Sequence, residues 1–295
     1  MGWSVEVNKD SINETGQRIT TFVASYPRFV HSEVMTHRVV AKSAASSRAI
    51  PIQKMIAQVK NDPAGPVWWG KNQSGMQAEE ELTGLRRKAV TMLWYKARWL
   101  AILSAWVLWK VGLHKQIANR ILEPWMWMTV IMTATDWSNL FALRCHPAAQ
   151  PEFQPLARML RKAYAESTPR PLKTGEWHLP YVREAEISEF GDYNGEGVWQ
   201  PDWAKLCAIS VGRSCRVSYL THDGKRDIQA DLDLTKRITS VGHNGALDHC
   251  AQAAYGTERH GHLVGWKPYR KTFDTEADFG IASAIEKVKA HPSID

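Results

Sequence analysis

Several patterns that mark common classes of protein are missing from this sequence. Its four cysteines include no Cys-x-x-Cys pair, which argues against a zinc ribbon and against a disulfide scaffold. No Gly-x-Ser-x-Gly turn of the serine hydrolases is present, and no His-Glu-x-x-His helix of the zinc proteases. The longest uncharged apolar run extends only from Trp99 to Trp109, whereas about 20 residues are needed to cross a bilayer. We therefore expect no membrane span, no zinc ribbon and no disulfide framework.

The amino-terminal residues indicate the cellular location of the protein, and its net charge indicates the kind of partner it binds. Residues 1–10 contain no apolar segment of the kind found in secretion signals, and Glu6 stands where a myristoylation motif has serine or threonine. We expect a soluble protein of the cytoplasm. The formal net charge of +7 favours anionic partners, but the basic residues form no long run, so a nucleic-acid-binding arm is not expected. A pocket for a small anionic molecule fits this charge better.

A set of charged and hydroxyl side chains lies close together between residues 36 and 48. The segment contains Thr36, His37, Arg38, seven further residues, and then Ser46, Ser47 and Arg48. Guanidinium groups supply charge and hydroxyls supply orientation for an oxyanion such as phosphate. Apolar residues at helical spacing from Phe29 predict a helix that carries the histidine and the first arginine near its end, and Pro51 closes the loop that follows. The alternative is a helix with a solvated basic face.

Hydrophobic periodicity predicts many helices and few strands in one domain of residues 1–295. Residues 1–18 are expected to be irregular, and residues 20–23 and 208–220 to form strands. Helices are predicted over 29–38, 52–59, 79–111, 115–122, 127–144, 151–165, 227–241 and 276–290, with Gly112 and Gly242 ending two of them. We interpret the methionine and tryptophan stripes of residues 79–165 as the core of a helical bundle. The proline- and glycine-rich residues 167–203 are interpreted as a long connector or an interface excursion.

Three further groups of polar residues could take part in chemistry. They are Arg120, Asn139 with Arg144, and Ser218 with His243, Asp248 and His249. Both arginines lie in apolar sequence, where an unpaired guanidinium is costly, so a salt bridge to a carboxylate such as Glu123 is the plain alternative. The two histidines could bind a metal, but no third ligand lies near them in the sequence, and their spacing matches no common zinc motif.

Taken together, these stretches resemble the flavin-dependent thymidylate synthases. The signature of that family is Arg-His-Arg, seven residues and Ser-x-Arg, which residues 36–48 match except at Thr36. Other elements similar to those of the family are Asn119–Pro124, Asn139–Arg144 followed by Ala149 and Gln150, Arg216–Ser218, and Gly242–His249. The last two normally precede the signature. Their order here is that of a circular permutation, and it resembles a variant of the family that is common in bacteriophages.

The resemblance implies a role for each matching residue. A pyrimidine deoxynucleotide monophosphate would be held by Glu33, Ser46, Ser47, Arg48, Arg120 and Arg144. FAD would be bound by Thr36, His37, Arg38, Asn139, His146, Ser218, His243 and Asp248. Arg144 and His243 would be catalytic, because a cation placed beside the base stabilises negative charge as C5 becomes nucleophilic. No cysteine nucleophile is then required, and no metal is expected.

The resemblance also implies the fold, the reaction and the assembly. We expect an α+β fold in which a helical bundle packs on a small, mostly antiparallel sheet, and a homotetramer whose active sites are shared between subunits. The reaction would be C5 methylation of dUMP to dTMP, with methylenetetrahydrofolate as the folate one-carbon donor and NADPH as the reductant. If the protein is viral, this reaction would take place in the host cytoplasm.

Three alternatives stay open at this point. One is C5 hydroxymethylation of dUMP or dCMP for modified viral DNA, in which water rather than hydride meets the one-carbon intermediate. Another is a flavin- or nucleotide-binding homologue without turnover, since Thr36, Ala41 and Ala44 depart from the family signature. The third is nucleic-acid binding, for which the net charge is the only argument.

Overall fold

The computed structural model describes residues 2–220, 226–240, 243–273 and 276. Its strands are β1 (Ser4–Asn13), β2 (Arg18–Pro27), β3 (Ala41–Ala44), β4 (Trp127–Ala134), β5 (Arg170–Leu172), β6 (Trp177–His178), β7 (Gly191–Tyr193), β8 (Trp199–Pro201), β9 (Ala251–Ala253), β10 (Arg259–His260), β11 (Leu263–Val264) and β12 (Trp266–Pro268). Its α-helices are α1 (His31–Met35), α2 (Ile52–Asn61), α3 (Gly84–Lys110), α4 (Lys115–Ala118), α5 (Ser138–Arg144), α6 (Phe153–Glu166), α7 (Glu184–Glu189), α8 (Trp203–Cys215) and α9 (Ile228–Ser240). The prediction of a mixed α+β protein is confirmed.

The largest sheet organises the fold. It has five strands in the order β3-β4-β2-β1-β5. Neighbouring strands are antiparallel, except that β1 and β5 are parallel. The sheet is therefore mostly antiparallel, as predicted. Strand β2 contains many β-branched and aromatic residues, which favour extended backbone, and β4 is buried along its whole length.

The two faces of this sheet have different chemistry because successive side chains of a strand point to opposite sides. Phe22 and Val130 lie on one face and join the main core, to which Leu140 of α5 and Leu156 of α6 contribute. The opposite face carries hydroxyl residues, among them Thr21. A second sheet of three strands, in the order β12-β9-β6, lies on the side of these hydroxyls.

The helix predicted over residues 127–144 is wrong for its first half. Residues 127–134 form β4, and only Ser138–Arg144 are helical. A strand that is buried on both faces is apolar at every position, so it lacks the alternation that identifies a strand in sequence. The helical bundle predicted for residues 79–165 is therefore interrupted by β4, an inner strand of the sheet.

The strand predicted over residues 208–220 is also wrong. Helix α8 occupies Trp203–Cys215, and a 3-10 helix follows at Arg216–Tyr219. The carboxylate of Asp202 caps the amino end of α8, because it accepts a hydrogen bond from the backbone N–H of Lys205 at 3.0 Å. Most residues of this helix are buried, so its apolar side chains do not mark a single helical face.

Two predictions near the amino terminus need correction. Residues 1–18 are not irregular, because Ser4–Asn13 form β1, which pairs with β2 through a turn at Gly16, whose φ is +79°. The helix predicted from Phe29 is short. It ends at Met35, so the prediction that His37 and Arg38 lie on this helix is wrong, and both lie in the segment that follows it.

The other predicted helices agree in place with α2, α3, α6 and α9, and Gly112 ends α3 with a φ of +94°. The helix predicted for 115–122 is α4 followed by a 3-10 helix at Asn119–Trp125. The connector at 167–203 contains the short elements β5 to β8 and α7. Gly242 and residues 277–290 lie outside the described residues. The single-domain prediction stays a prediction.

Helix α3 does not form the predicted core of a bundle. Of its 27 residues, Ala101 and Ala105 are the buried ones. Large apolar side chains are exposed along it, for example Leu85 at 83%, Leu100 at 67% and Leu103 at 56%. Within the described ranges, no helix combines the length and the apolar character needed to cross a bilayer.

Candidate functional site

A loop with fixed geometry follows β3 and carries the second half of the Thr36–Arg48 segment. The backbone N–H groups of Ala49 and Ile50 both donate to the carbonyl oxygen of Ser46, at 2.9 and 3.2 Å. The side-chain amide of buried Asn119 donates to the carbonyl oxygens of Ser47 and Ile50, at 2.7 and 3.0 Å. These bonds hold the loop, which ends at Pro51 as predicted, and leave the side chain of Arg48 exposed.

The Arg-Val-Ser segment, distant in sequence, lies directly against this loop. The backbone N–H of Ser46 donates to the carbonyl oxygen of Ser218 at 3.0 Å, and the Ser218 hydroxyl lies 3.5 Å from the carbonyl oxygen of Ala44. The second pair is separated by 174 residues in the chain. The contact therefore brings together two of the motifs on which the resemblance rests.

A cavity of about 550 Å³ opens between these segments. Its described lining residues are Ser43, Ser46, Arg48, Ala49, Cys215, Ser218, Tyr219, Leu234, Ile238, His243, Gly245 and Ala246. Three separate motifs thus contribute to one cavity. Its polar groups are hydroxyls, an imidazole and a guanidinium, and α9 supplies an apolar wall through Leu234 and Ile238.

The cysteine in this cavity is unsuited to be a nucleophile. Burial raises the pKa of the Cys215 thiol to about 12, so the group is protonated near neutral pH. A thiol must lose its proton to attack an electrophile or to bind a metal. The arrangement favours binding and electrostatic stabilisation.

A buried ion network holds the Arg-Val-Ser segment in place. Asp231 of α9 is fully buried and accepts from Arg213 at 3.0 Å and from Arg216 at 2.7 Å. Arg213 also contacts Glu186 at 2.7 Å. Helices α8 and α9 approach closely at Gly212, where a Cβ would lie 2.3 Å from the carbonyl oxygen of Asp231. The network ties the segment that carries Ser218 to both helices.

A second cluster surrounds Arg144 at the end of α5. The Arg144 guanidinium donates to Nε2 of His37 at 2.9 Å and to the hydroxyl of Thr36 at 3.2 Å, and it lies 4.9 Å from the centre of the Phe153 ring. Burial, together with the nearby cations Arg144 and Lys42, lowers the pKa of His37 to about 4. His37 is therefore neutral at pH 7 and accepts the hydrogen bond from Arg144.

Arg120 is not among the described residues that line the cavity. It forms a salt bridge with Glu123 at 3.3 Å, as the plain alternative predicted, and the Ser47 hydroxyl donates to the same carboxylate at 3.4 Å. About half of the Arg120 side chain is exposed, 52%, so the pairing does not bury it. Arg120 and Ser47 thus contact the same carboxylate, so Arg120 lies near the residues predicted to bind phosphate.

The remaining predicted residues fall into two groups. Glu33, Arg38, Asn139 and His146 lie on α1, on α5 or in turns near the Arg144 cluster, and the last three are exposed. Asp248 lies in the 3-10 helix Gly245–Asp248 and accepts from Arg270 at 3.1 Å, while burial raises its pKa. His249 does not pair with His243 as a metal ligand, because both of its ring nitrogens contact hydroxyl groups.

The three arginines assigned to the nucleotide are not brought to one cavity by this chain alone. Arg48 lines the cavity described above, but neither Arg120 nor Arg144 is among its described lining residues. Arg144 contacts Thr36 and His37, which precede β3 in the chain, whereas Arg48 follows that strand. Their convergence on one nucleotide stays a prediction that requires a second subunit.

The sequence reasoning missed part of the cavity wall. Ser43, Tyr219 and Leu234 line the cavity but were not predicted to do so. Ser43 lies three residues before Ser46, but no pattern in the sequence identified the short strand β3 that carries it. Lys42, on the same strand, donates to the carbonyl oxygens of His37 and Val40, and burial lowers its pKa to about 8.

The sequence matches no family model and no curated protein. Two solved structures of a UMP/dUMP methylase, PolB from Streptomyces cacaoi, have a partly similar fold. The structure bound with 5-Br dUMP has 16% identity and a TM-score of 0.40, over 50% of this chain and 66% of that chain, just under two thirds of its length. The structure bound with 5-Br UMP has 15% identity and a TM-score of 0.42, over 56% of this chain and 89% of that chain.

The chemistry of the cavity fits a planar ligand that carries phosphate. Arg48 offers positive charge, and the hydroxyls of Ser46 and Ser218 can donate to phosphate oxygens. The apolar wall of Leu234 and Ile238 suits a ring system. A pyrimidine nucleotide and a flavin cofactor both combine these features, so the residues present fit FAD as well as dUMP.

Proposed function

We propose that this protein is a flavin-dependent enzyme that methylates C5 of dUMP to give dTMP. The single observation that carries the proposal is the cavity in which Ser46, Arg48, Ser218 and His243 meet. These residues belong to three motifs that lie far apart in the sequence. Packing requirements alone give no reason for hydroxyls, a guanidinium and an imidazole to line one open cavity.

In the proposed reaction, C5 of the base loses its proton and forms a bond to the methylene carbon of methylenetetrahydrofolate. The two bonds from that carbon to the folate nitrogens break, each nitrogen takes up a proton, and a hydride that originates from NADPH completes the methyl group. Bound FAD would supply the redox chemistry that passes this hydride on. Ser46 and Arg48 would bind the nucleotide phosphate, whereas Ser218, His243 and Asp248 would contact the cofactor.

Arg144 is proposed to stabilise the negative charge that develops on the base. Its guanidinium is held by His37 and Thr36, and the neutral state of His37 leaves the positive charge of Arg144 uncompensated by that contact. A fixed cation beside the reacting ring lowers the barrier without a covalent enzyme intermediate. Glu33, Arg38, Asn139 and His146 would complete this side of the site.

We propose a homotetramer in which a second subunit completes each site. Two observations support it: Arg144 is not among the described residues that line the cavity of Arg48, and α3 exposes large apolar side chains that include Leu100 and Leu103. Exposed apolar surface of this extent marks an interaction site. Association through such a surface could bring Arg144 of one copy to the cavity of another.

The proposal is tested with the purified full chain, FAD, dUMP, methylenetetrahydrofolate and NADPH. We expect a yellow protein, NADPH oxidation that depends on dUMP, and dTMP as the product by mass spectrometry. A product that is heavier than dTMP by one oxygen atom and forms without NADPH consumption would identify hydroxymethylation instead. A protein that binds flavin and dUMP but forms no product would be a non-catalytic homologue.

A further inference from the structure

Six side chains form a continuous hydrogen-bonded chain from the cavity into the interior. In order from the cavity they are Ser43, His249, Thr133, Thr21, His178 and Ser11. The successive distances are 2.9 Å (Ser43 Oγ to His249 Nε2), 2.8 Å (His249 Nδ1 to Thr133 Oγ1), 2.7 Å (Thr133 Oγ1 to Thr21 Oγ1), 2.8 Å (Thr21 Oγ1 to His178 Nε2) and 2.9 Å (His178 Nδ1 to Ser11 Oγ). We call this set the hydroxyl–histidine chain.

The chain follows the architecture of the fold. Its hydroxyls come from β3, β4, β2 and β1, which are consecutive neighbours in the large sheet. One histidine belongs to β6, and the other lies just before β9, so both come from the side of the smaller sheet. All members are fully buried except Ser43, which lines the cavity. The chain therefore has one end at the ligand site.

Both histidines in the chain are neutral. Burial lowers the pKa of His249 to about 3, and it lowers the pKa of His178 well below its ordinary value. Each imidazole therefore has one N–H donor and one acceptor nitrogen, and each hydroxyl has one proton. Within the chain, an imidazole must accept from one neighbour and donate to the other.

This rule couples the two tautomers. If both histidines carry the proton on Nδ1, every bond is directed from Ser43 toward Ser11. If both carry it on Nε2, every bond is directed from Ser11 toward Ser43. The two histidines could also carry their protons on different nitrogens. One such combination leaves no proton between Thr21 and Thr133, and the other leaves one of these buried hydroxyls with no acceptor in the chain. Both are costly.

The direction of the chain decides what Ser43 offers to a ligand. With both protons on Nδ1, the Ser43 hydroxyl donates to His249 and presents only lone pairs to the cavity. With both protons on Nε2, Ser43 accepts from His249, and its own O–H is free to donate into the cavity. The remaining cavity groups, Arg48 and Ser46, suit an oxygen-rich ligand.

We propose that Ser43 is a further ligand-contacting residue, held by the hydroxyl–histidine chain as a hydrogen-bond donor to an oxygen atom of the bound nucleotide. The assignment of the nucleotide rests on the proposed function. The five buried members are positioning residues, because they act through Ser43. Their effect on ligand binding must then disappear when the Ser43 hydroxyl is removed.

The first experiment measures the histidine tautomers by nitrogen-15 NMR of the full-length protein with labelled histidine. Signals are assigned by their loss in His178→Asn and His249→Asn. In the free protein we expect both residues to be neutral and to share one tautomer, and with dUMP we expect both to carry the proton on Nε2. Different tautomers in the free protein would overturn the chain, and Nδ1 protonation with dUMP would overturn the donor role of Ser43.

The second experiment is a double-mutant cycle on the dissociation constant of dUMP. Thr21→Val removes a hydroxyl that is three links from Ser43 and preserves the shape of the side chain. Without Thr21, the Thr133 hydroxyl has only Nδ1 of His249 as an acceptor in the chain, which favours the proton on Nε2 and the donor state of Ser43. We expect Thr21→Val to strengthen binding about two- to tenfold in the wild-type background and to have no effect in a Ser43→Ala background. Thr129→Val, a buried threonine of β4 outside the chain, is the matched control and should leave binding unchanged.

Equal effects of Thr21→Val in both backgrounds would show a structural role only and would overturn the coupling to Ser43. Melting temperatures of all variants identify any that fail to fold, and the NMR measurement on the wild type is independent of them. If the wild type binds no dUMP, the proposed function fails and the nucleotide contact of Ser43 fails with it. The tautomers of the free protein then still decide whether the chain exists.

Discussion

The backbone N–H of Ser46 donates to the carbonyl oxygen of Ser218 at 3.0 Å. This bond joins the loop that carries Arg48 to the 3-10 helix that follows α8, and the cavity opens at their junction. Because both partners are backbone atoms, the contact fixes the relative position of the two motifs whatever their side chains bind. The geometry of the candidate site depends on this junction and on the elements that support it.

Arg48 should contribute mainly to nucleotide affinity. Removing a charged hydrogen-bond donor from a phosphate site costs about 1.5–3 kcal/mol, so Arg48→Ala should weaken dUMP binding by about 10- to 100-fold. Isothermal titration calorimetry measures this change. Arg161→Ala removes an exposed arginine of α6 and is the control, for which we expect an unchanged dissociation constant. Equal affinity in Arg48→Ala and wild type would remove Arg48 from the site.

Arg144 should contribute mainly to turnover. Arg144→Ala should reduce the rate of dTMP formation by at least about 100-fold, in the range seen when one electrostatic donor is lost, with little loss of bound FAD. The pKa of His37 should rise in this variant, because Arg144 is one of the two cations that lower it. NMR titration of His37 reports that shift independently of activity. Loss of most of the bound FAD in Arg144→Ala would contradict the role in turnover.

The buried ion network should stabilise both the fold and the site. Asp231→Asn leaves Arg213 and Arg216 without their shared buried carboxylate, and breaking such a pair costs about 3–5 kcal/mol. Urea denaturation should show this loss in the free energy of unfolding. Asp233→Asn, at an exposed position two residues further along α9, should change it little. A similar small change for both would mean that the network does not hold the helices together.

The sequence was sufficient to predict the type of an element where only one face of that element is buried. Helices α2 and α6 have apolar residues on one face, and β2 has many β-branched residues, so their patterns are visible. The sequence did not predict the type of β4 and α8, because both are largely buried and their apolar residues follow neither the helical nor the strand period clearly. The grouping of Ser46, Arg48, Ser218 and His243 could be expected only from the motif resemblance. Ser43 and its buried partners depend on sheet register, which no local pattern reveals.

Stability should fall as the pH decreases below neutrality. In the unfolded chain a histidine has a pKa of about 6.5, whereas burial holds that of His249 at about 3. Between these values the unfolded state binds a proton that the folded state excludes, so the free energy of unfolding decreases by up to about 1.4 kcal/mol per pH unit for each such histidine. Fully buried His178 acts in the same direction.

Urea denaturation between pH 7.5 and 5 measures this slope. His249→Asn removes one of the excluded protons and should therefore reduce the slope by about the contribution of a single histidine. An unchanged slope in that variant would contradict the buried neutral state of His249.

Helix α3 should mediate self-association. Leu103 is 56% exposed in the isolated chain, and Leu103→Glu places a charge among the exposed apolar side chains of this helix, where it would be desolvated in an interface. Sedimentation or light scattering should show a tetramer for the wild type and smaller species for the variant. Lys162→Glu changes a charge on the exposed side of α6 and should leave the mass unchanged. A monomeric wild type would remove the shared active site from the proposal.

The most direct measurement uses dUMP tritiated at C5, with the full chain, FAD, methylenetetrahydrofolate and NADPH. If the cavity holds a pyrimidine nucleotide for C5 chemistry, tritium should be released to water in step with dTMP formation, and Arg48→Ala should require more dUMP for the same rate. Wild-type protein that is folded and contains flavin, yet releases no tritium and leaves dUMP unchanged, would contradict the account.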